Sequence, residues 1–244
     1  MKNTKKAFTL AEVLLVVAII GIVAAMAIPN LNKSINEDKT VMLFRNTTEQ
    51  LNAALGKVMA ENGSFSNRSK EGCPADKNEY YCATLKMTQY LDVGYDCGDT
   101  NMDKCFTKEK ITMFDGSDSD VNKGNEDCVY TFLLANGVGV CNRYGVFELD
   151  LDGPNKGPNS RGIDLFRLDM RNGVLSPQPS YDMGDTRETE TSVDFLNYDR
   201  FNQWVFEIGN MDYLRCADSL NWINKHTCDW FLHLFKFSIK KAFF

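Results

Sequence analysis

The sequence predicts an α+β fold in which a long N-terminal helix packs on a small antiparallel sheet. Three observations predict it: an uncharged apolar run at residues 13–28, a stripe of helical spacing that continues to residue 58, and β-rich segments from residue 129 onward. A helix with one apolar face needs a sheet or another helix to cover that face, and a small sheet needs the same in return.

The helix is predicted from the spacing of its apolar positions. Successive members of the stripe lie 4, 3, 4 and 3 residues apart, as on one face of a helix: Phe44, Thr48, Leu51, Leu55 and Val58. Asn62-Gly63 supplies a helix end. We therefore predict one helix over residues 8–62, about 80 Å long at 1.5 Å per residue, which Pro29 bends or locally melts.

Residues 63–244 are predicted to form the globular head. Its first part, residues 63–127, is rich in turn-forming residues and contains four of the eight cysteines of the chain. Two β-rich runs then flank Asn136-Gly137, which is the strongest short signal for a hairpin with a two-residue turn. Residues 163–168 and 204–208 are each predicted to supply a further strand.

Composition limits the functional classes. The chain is 43% hydrophobic and carries a formal net charge of −6, which becomes more negative by three if Lys2, Lys5 and Lys6 are removed. An acidic head of this kind is not expected to bind nucleic acid. All eight cysteines follow the apolar run, as in an exported, oxidised domain. None of them has the close spacing of a zinc site.

Two statements about disulfides follow from the spacing of the cysteines. Cys216 and Cys228 are predicted to close a small C-terminal loop, which contributes roughly 3 kcal/mol in the chain-entropy description. Cys128 and Cys141 are predicted not to pair. With a two-residue turn, Cys141 lies opposite residue 132, roughly 13 Å along the strand from Cys128. Each is therefore expected to bond into the region of residues 73–105.

The N-terminal segment allows three interpretations. A basic stretch, residues 1–6, precedes the apolar run and is expected to stay in the cytoplasm. The segment is then a signal peptide cut after Ala27, an anchor that is never cut, or something more specific. The first two interpretations leave Glu12 unexplained, because a carboxylate at the start of an apolar segment is costly in lipid.

The third interpretation comes from a family resemblance. The stretch Lys5-Lys6-Ala7-Phe8-Thr9-Leu10-Ala11-Glu12 resembles the processing motif of type IV prepilins and of the pseudopilins of type II secretion. The resemblance implies that a prepilin peptidase cuts between Ala7 and Phe8 and methylates the new amine. It also implies that Glu12 pairs with the N-terminal amine of a neighbouring subunit. The family usually has Gly before the cut, where this chain has Ala7. A location of Glu12 near the lipid headgroups is the simpler alternative.

The resemblance implies a pilin-like architecture and a structural role. Residues 1–7 are the leader, residues 8–30 the half of the helix that spans the membrane and forms the filament core, and residues 63–244 the head. Expected partners are copies of the chain, other pilins, prepilin peptidase, membrane lipid and an inner-membrane assembly machinery. The expected location is the inner membrane, in a single pass with the head outside the cytoplasm, and then an extracellular or periplasmic filament. The alternative is a soluble binding or enzymatic domain released after Ala27.

An acidic segment suggests a calcium site. On a strand, Glu148, Asp150 and Asp152 share one face and lead into a glycine turn, with Asn155 and Asp164 able to close the site. Asn159 stands where a calcium loop has its bidentate Glu, so this is not an EF-hand. The loop loosely resembles the calcium loop of some major pseudopilins. A solvated acidic turn is the alternative.

Enzymatic chemistry has little support in the sequence. The only histidines are His226 and His233, both near the C-terminus, and no acidic partner can be assigned to either. We therefore expect no enzyme. The aromatic and basic segment 229–244 is either an amphipathic interaction segment or a tail that packs on the sheet or is disordered.

Overall fold

A computed structural model describes residues 10–63, 73–119, 124–177, 195, 199–223 and 228, and only the backbone of residues 22–35 and 62. The predicted leader, Phe8, both histidines and segment 229–244 lie outside these residues. The chain divides into two compact units, Met1–Lys39 and Thr40–Phe244.

Helix α1, Leu10–Asn62, begins in the first unit and is helical through Pro29, so the predicted local melting does not occur. Its large apolar side chains between residues 10 and 20 are exposed. In the part of the chain that the structure describes, no helix meets the requirements of length and apolarity for a membrane span.

In its described residues, the second unit continues α1 and adds three α-helices and eight strands. The helices are α2 (Glu79–Thr88), α3 (Arg200–Glu207) and α4 (Tyr213–Cys216). The strands are β1 (Val93–Gly98), β2 (Thr112–Met113), β3 (Tyr130–Leu134), β4 (Gly139–Arg143), β5 (Val146–Asp150), β6 (Ser160–Arg161), β7 (Leu165–Arg171) and β8 (Val174–Ser176). Short 3-10 turns lie at Met102–Lys104 and Ala217–Ser219.

The strands form one sheet in the order β1-β3-β4-β5-β7-β6-β2, and β8 also pairs with β7. The long pairings from β1 to β7 and the β7–β8 pairing are antiparallel. The prediction of an α+β fold with an N-terminal helix on an antiparallel sheet is confirmed in this respect. The two-residue strands β2 and β6 depart from it, because both of their pairings are parallel.

The predicted stripe of α1 faces the main core. Phe44, Thr48, Leu51, Leu55 and Val58 are all buried, which confirms the helical spacing. The ring of Phe44 stacks on that of Phe166 from β7, with centroids 4.7 Å apart. Burying one such aromatic side chain stabilises a fold by about 1.5–3 kcal/mol. The amide of Asn52 both donates to and accepts from the backbone of Leu175, which holds β8 against this face of α1.

Residues 204–208, predicted as a strand, lie in or at the end of α3. Phe201, Trp204 and Val205 are buried at positions i, i+3 and i+4, so the helical period extends on both sides of the short run. The side chain of Arg45 donates to the carbonyl oxygen of Phe206 and thereby satisfies a C-terminal group of α3. Periodicity over five residues does not distinguish a helix from a strand, and here the tertiary contacts favour the helix.

The hairpin β3–β4 exists, but its register differs from the prediction by one residue. Cys141 lies opposite Thr131 instead of residue 132. The amide of Leu134 donates to the carbonyl of Val138, so the loop has three residues, 135–137, and Gly137 has a φ of +91°. A glycine at positive φ is what this type of loop requires.

The exclusion of a Cys128–Cys141 disulfide was wrong, since the structure joins these two residues. The exclusion assumed that the strand extends straight back to Cys128. In the structure β3 begins only at Tyr130, the chain bends at Val129, and Asp127 has a φ of +60°. This bend brings the Cα atoms of the two cysteines to 5.6 Å, within the normal range for a disulfide.

The other cysteines also pair locally. Cys216 is bonded to Cys228, the pair predicted from the sequence. Cys73 is bonded to Cys82 and Cys97 to Cys105, so region 73–105 is closed by its own two disulfides. It therefore has no cysteine left to receive Cys128 or Cys141, contrary to the prediction.

Candidate functional site

The N-terminal candidate, Glu12, lies in the first turn of α1 and is exposed. A carboxylate at this position interacts favourably with the positive end of the helix dipole. The predicted cleavage site, Ala7 and Phe8, lies just before the described part of the helix. Glu12 is thus held on a helix at a fixed distance in sequence from the predicted new N-terminus.

The acidic face of β5 is the second candidate. As predicted, side chains alternate along the strand, with Phe147 and Leu149 in the main core and Glu148 and Asp150 on the opposite face. That opposite face is also covered. Glu148 is 2% exposed and Asp150 is fully buried, and a second small apolar cluster that includes Phe106 and Ile111 lies in the same head. Glu148 and Asp150 are therefore buried acids, not a solvated edge.

Glu148 is neutralised by two arginines. Arg143 donates to its Oε2 and Arg161 to its Oε1, in buried charge-assisted hydrogen bonds. Burial favours the neutral carboxyl, but the charges of Arg161 and Arg143 outweigh it and hold the pKa of Glu148 below its ordinary value. Glu148 is thus satisfied by the protein, which removes it from the predicted calcium ligands.

Asp150 has the opposite environment. One oxygen, Oδ1, accepts the amide N–H of Gly153 at 2.9 Å, whereas Oδ2 is buried and receives no hydrogen bond from a donor group. Burial, followed by the charges of Asp152 and Asp164, raises the pKa of Asp150 from 3.8 to about 8. The hydrogen bond with Asp152 adds to these effects, the N–H of Gly153 opposes them, and among the described residues no arginine forms an ion pair with Asp150. The region around Asp150 therefore has an excess of negative charge that favours a proton or a cation.

Asp164 organises the loop that faces Asp150. Its two carboxylate oxygens accept the amide N–H groups of Asn159 and Ser160, at 2.8 and 2.6 Å. Burial raises the pKa of Asp164, the two amides oppose this, and the charge of Asp152 adds to it. Asp164 thus interacts with the charge of Asp152, while both of its oxygens hold the backbone of the turn.

Two further buried oxygen atoms lack a donor group, like Oδ2 of Asp150. Among the described residues, no donor group bonds to the buried Oδ1 of Asp152 or to the buried Oδ1 of Asn159, and the Asp152 side chain instead shares a hydrogen bond with that of Asp150. Asn159 is 9% exposed and has a φ of +56°. Asn155, predicted to close the site, is instead exposed on the wall of a cavity of about 350 Å³ that Asn159 also lines. Within the described residues, no group of three or more acidic, histidine or cysteine side chains is arranged so that it could hold a metal ion.

The comparisons with known proteins concern the N-terminal segment. The family described as "Prokaryotic N-terminal methylation motif" matches residues 2–28. The chain carries the type IV prepilin and pseudopilin signature. No curated protein and no solved structure matches this chain.

The prepilin signature covers the positions of one of the two candidate sites. The matched residues include Ala7, Phe8 and Glu12, and they end before the second unit begins. Subunits with this motif are structural proteins of the pilin type and substrates of prepilin peptidase. The matched residues do not include the acidic cluster of the head.

Three residues that the sequence did not predict decide which ligands the acidic cluster can bind. Arg143 and Arg161 neutralise Glu148, and Asn159 contributes a buried, unpaired oxygen. Arg143 carried a usable signal, because it stands on β4 next to the turn into β5, directly across the hairpin from Val146. Arg161 lies on the two-residue strand β6 and Asn159 directly before it, and the sequence pattern predicted neither this strand nor the path of the loop that leads to it.

Proposed function

We propose that the chain is a structural subunit of a type IV pilus-like filament or of a type II secretion pseudopilus. The observation that carries the proposal is the methylation motif at residues 2–28, which continues into a 53-residue helix, α1. The second half of that helix is covered by the disulfide-bonded head. In this proposal the first half inserts into the inner membrane before assembly and into the filament core afterwards.

In this proposal the protein is first processed in the membrane and then assembled into a filament. Prepilin peptidase removes residues 1–7 and methylates Phe8 while the head is outside the cytoplasm. The inner-membrane assembly machinery then extracts the subunit from lipid into an extracellular or periplasmic filament of this chain and other pilins. An exposed apolar helix such as residues 10–20 needs lipid or neighbouring helices around it, and each stage supplies one of these.

The first prediction is cleavage between Ala7 and Phe8 with one methyl group on the new amine. Intact mass and N-terminal sequencing of membrane-extracted protein measure it. Cells without prepilin peptidase are the control and should retain Met1. The variant Ala7→Gly restores the residue usual in the family and should be cut at least as well. A mature N-terminus at Ile28 would instead support the released-domain alternative and end the filament proposal.

The second prediction is that Glu12→Ala is processed and inserted normally but assembles poorly. The substitution removes a charge that is costly in lipid, so insertion does not suffer. In the filament it leaves the neighbouring amine unpaired, and an unpaired buried charge costs about 3–5 kcal/mol. We expect sheared filaments to fall by more than about tenfold relative to total membrane protein, given that each 1.4 kcal/mol is a factor of ten.

Two matched variants make the Glu12 experiment specific. Glu12→Gln keeps the shape of the side chain and loses the charge, so it should fail like Glu12→Ala. Glu12→Asp keeps the charge on a shorter side chain and should retain part of the yield. Equal yields from the wild type and Glu12→Gln would show that the carboxylate is not paired in the filament.

We also propose that the head binds calcium through Asp150 and Asp152, with Asn159 and Asp164 completing the loop. What supports the proposal is that buried oxygens of Asp150, Asp152 and Asn159 receive no hydrogen bond from a donor group of the described residues. The three acids, Asp150, Asp152 and Asp164, are not arranged as a metal site in this structure, so calcium would have to draw them together in place of the proton that Asp150 and Asp152 share. Calcium takes six to eight oxygen ligands in flexible geometry, and it neutralises the charge that raises the pKa of Asp150. Glu148, with its two arginines, and the exposed Asn155 have no part in this revised site.

A further inference from the structure

The four disulfides of the head share one property. Every cysteine is bonded to a cysteine adjacent to it in the order of the sequence, first to second, third to fourth, and so on. The separations are only 9, 8, 13 and 12 residues. No disulfide encloses or crosses another.

The pairs are also nearest neighbours along the chain. Cys97 is closer in sequence to its partner Cys105 than to Cys82, and the same comparison favours the observed partner for all eight cysteines. Closing a shorter loop costs less chain entropy. An unfolded chain therefore already favours the native pairing, before any strand of the sheet has formed.

Burial limits when the bonds can be made. Seven of the eight cysteines are less than 9% exposed in the folded head, and Cys105 and Cys141 are fully buried. Cys128 and Cys141 lie inside the smaller apolar cluster, and Cys216 and Cys228 lie in the main core. Thiol–disulfide exchange requires a reagent to reach the sulfur atom. An enzyme cannot reach these sulfur atoms once the head has closed around them.

We propose that a dithiol oxidase inserts the four disulfides in chain order as the head emerges, before it folds, and that no disulfide isomerase is needed. The proposal rests on the proposed function, because the head must cross the membrane with its N-terminal end first. Cys73 then appears first, followed by Cys82, and this pair is closed before Cys97 arrives. The partner is an oxidase that carries a reactive disulfide of its own.

Each bond forms in two exchange steps. The thiolate of the earlier cysteine attacks the disulfide of the oxidase, forms a mixed disulfide and expels one oxidase thiolate. The thiolate of the later cysteine then attacks the chain sulfur of the mixed disulfide, which forms the disulfide of the head and releases the second oxidase thiolate. The head loses two electrons and two protons per bond, and the oxidase leaves as a dithiol.

The test expresses the full chain in bacteria that keep the oxidase and lack the isomerase. Thiols are blocked on lysis, and the disulfides are assigned by peptide mapping. We expect the same four pairs as in cells with the isomerase. Mispaired chains that the isomerase corrects would overturn the inference while leaving the filament proposal intact. Eight reduced thiols would overturn both, since the head would then not have reached an oxidising compartment.

Removing the first cysteine tests whether the order of the cysteines along the chain determines which of them pair. In Cys73→Ser the first thiol to emerge is Cys82, so without the isomerase we expect most chains to contain a Cys82–Cys97 bond. The matched control, Cys73→Ser with Cys82→Ser, restores an even order and should keep the three remaining native pairs. If Cys73→Ser alone keeps those three pairs and a free Cys82, folding rather than order directs the pairing, and the inference fails.

Discussion

Glu148→Ala is expected to lower the free energy of unfolding of the head by about 3–5 kcal/mol. The substitution leaves the guanidinium groups of Arg143 and Arg161 buried without the carboxylate that both contact. Removing one partner of a buried ion pair costs more than the pair contributes, because the remaining charge stays out of water. Urea denaturation of a fragment of residues 36–244, followed by circular dichroism, measures the change.

Two variants separate this effect from a general loss of side-chain contacts. Glu148→Gln retains the shape of the side chain and an acceptor oxygen, so it should lose most but not all of the same stability. Glu49→Ala replaces an exposed acid on α1 and should change stability by less than about 0.5 kcal/mol. A Glu148→Ala head as stable as the Glu49→Ala head would mean that water or another group compensates the two arginines.

The pH dependence of the Glu148 effect has a definite sign. The pKa of Glu148 is lowered in the folded head, so its contribution to stability is fully present above its ordinary value of 4.5. The contribution is lost as pH falls through the folded pKa. The difference between the wild type and Glu148→Gln should therefore shrink in acid, since the protonated carboxyl no longer offsets the two arginines.

What the sequence predicted best was what local geometry alone decides. The stripe from Phe44 to Val58 follows from helix periodicity, and all five of its members are buried as expected. The hairpin was located by Asn136-Gly137, but the same two residues fit a loop of two or of three residues. The choice between them shifts every pairing by one position, and the sequence contains no signal that decides it.

The parts that escaped prediction depend on contacts between distant segments. Strands β2 and β6 have two residues each, too few for a pattern. The neutralisation of Glu148 depends on Arg161, which the loop after β5 brings back. The same loop places the amide of Asn159 against the carboxylate of Asp164. The alternation of β5 was predicted correctly as far as Asp150, where the strand ends, so Asp152 lies beyond the strand and not on its face as predicted. The two acids that do share the face, Glu148 and Asp150, have opposite environments.

Glu148 and Asp150 show how much of an acid's behaviour depends on its partners. Both are buried on the same face of β5, two residues apart. The pKa of Glu148 is lowered by two arginines, whereas that of Asp150 is raised by burial and by two other acids. The sheet thus holds one carboxylate ionised for stability and destabilises the charge on the other. An added cation would therefore stabilise the charged form of Asp150 but not that of Glu148, which is already paired with two arginines.

Asp150→Asn is expected to make the head more stable than the wild type in chelator at pH 7. A raised pKa means that the wild-type head loses stability as pH rises from about 4 to about 8, because unfolding lets Asp150 ionise. At 1.36 kcal/mol per pKa unit the gain is at most on the order of 4 kcal/mol at pH 7. The asparagine keeps an oxygen for the amide of Gly153 and offers an N–H to Asp152.

Calcium should reverse the order of stability of the wild-type head and Asp150→Asn. Millimolar calcium is expected to raise the melting temperature of the wild-type head and to leave that of Asp150→Asn unchanged, since binding stabilises a fold by RT ln(1 + [L]/Kd). The calcium effect should grow with pH up to about 8, because below that value the ion displaces a proton from Asp150.

The matched control is Asp103→Asn. Asp103 is an exposed acid on the wall of the cavity that Asn155 and Asn159 also line, and the melting temperature of this variant should respond to calcium like that of the wild type. Equal calcium shifts in all three proteins, or none, would identify the acidic loop as a proton-binding turn without a metal. If Asp150→Asn is less stable than the wild type at every pH, the pKa of Asp150 is not raised in the folded head.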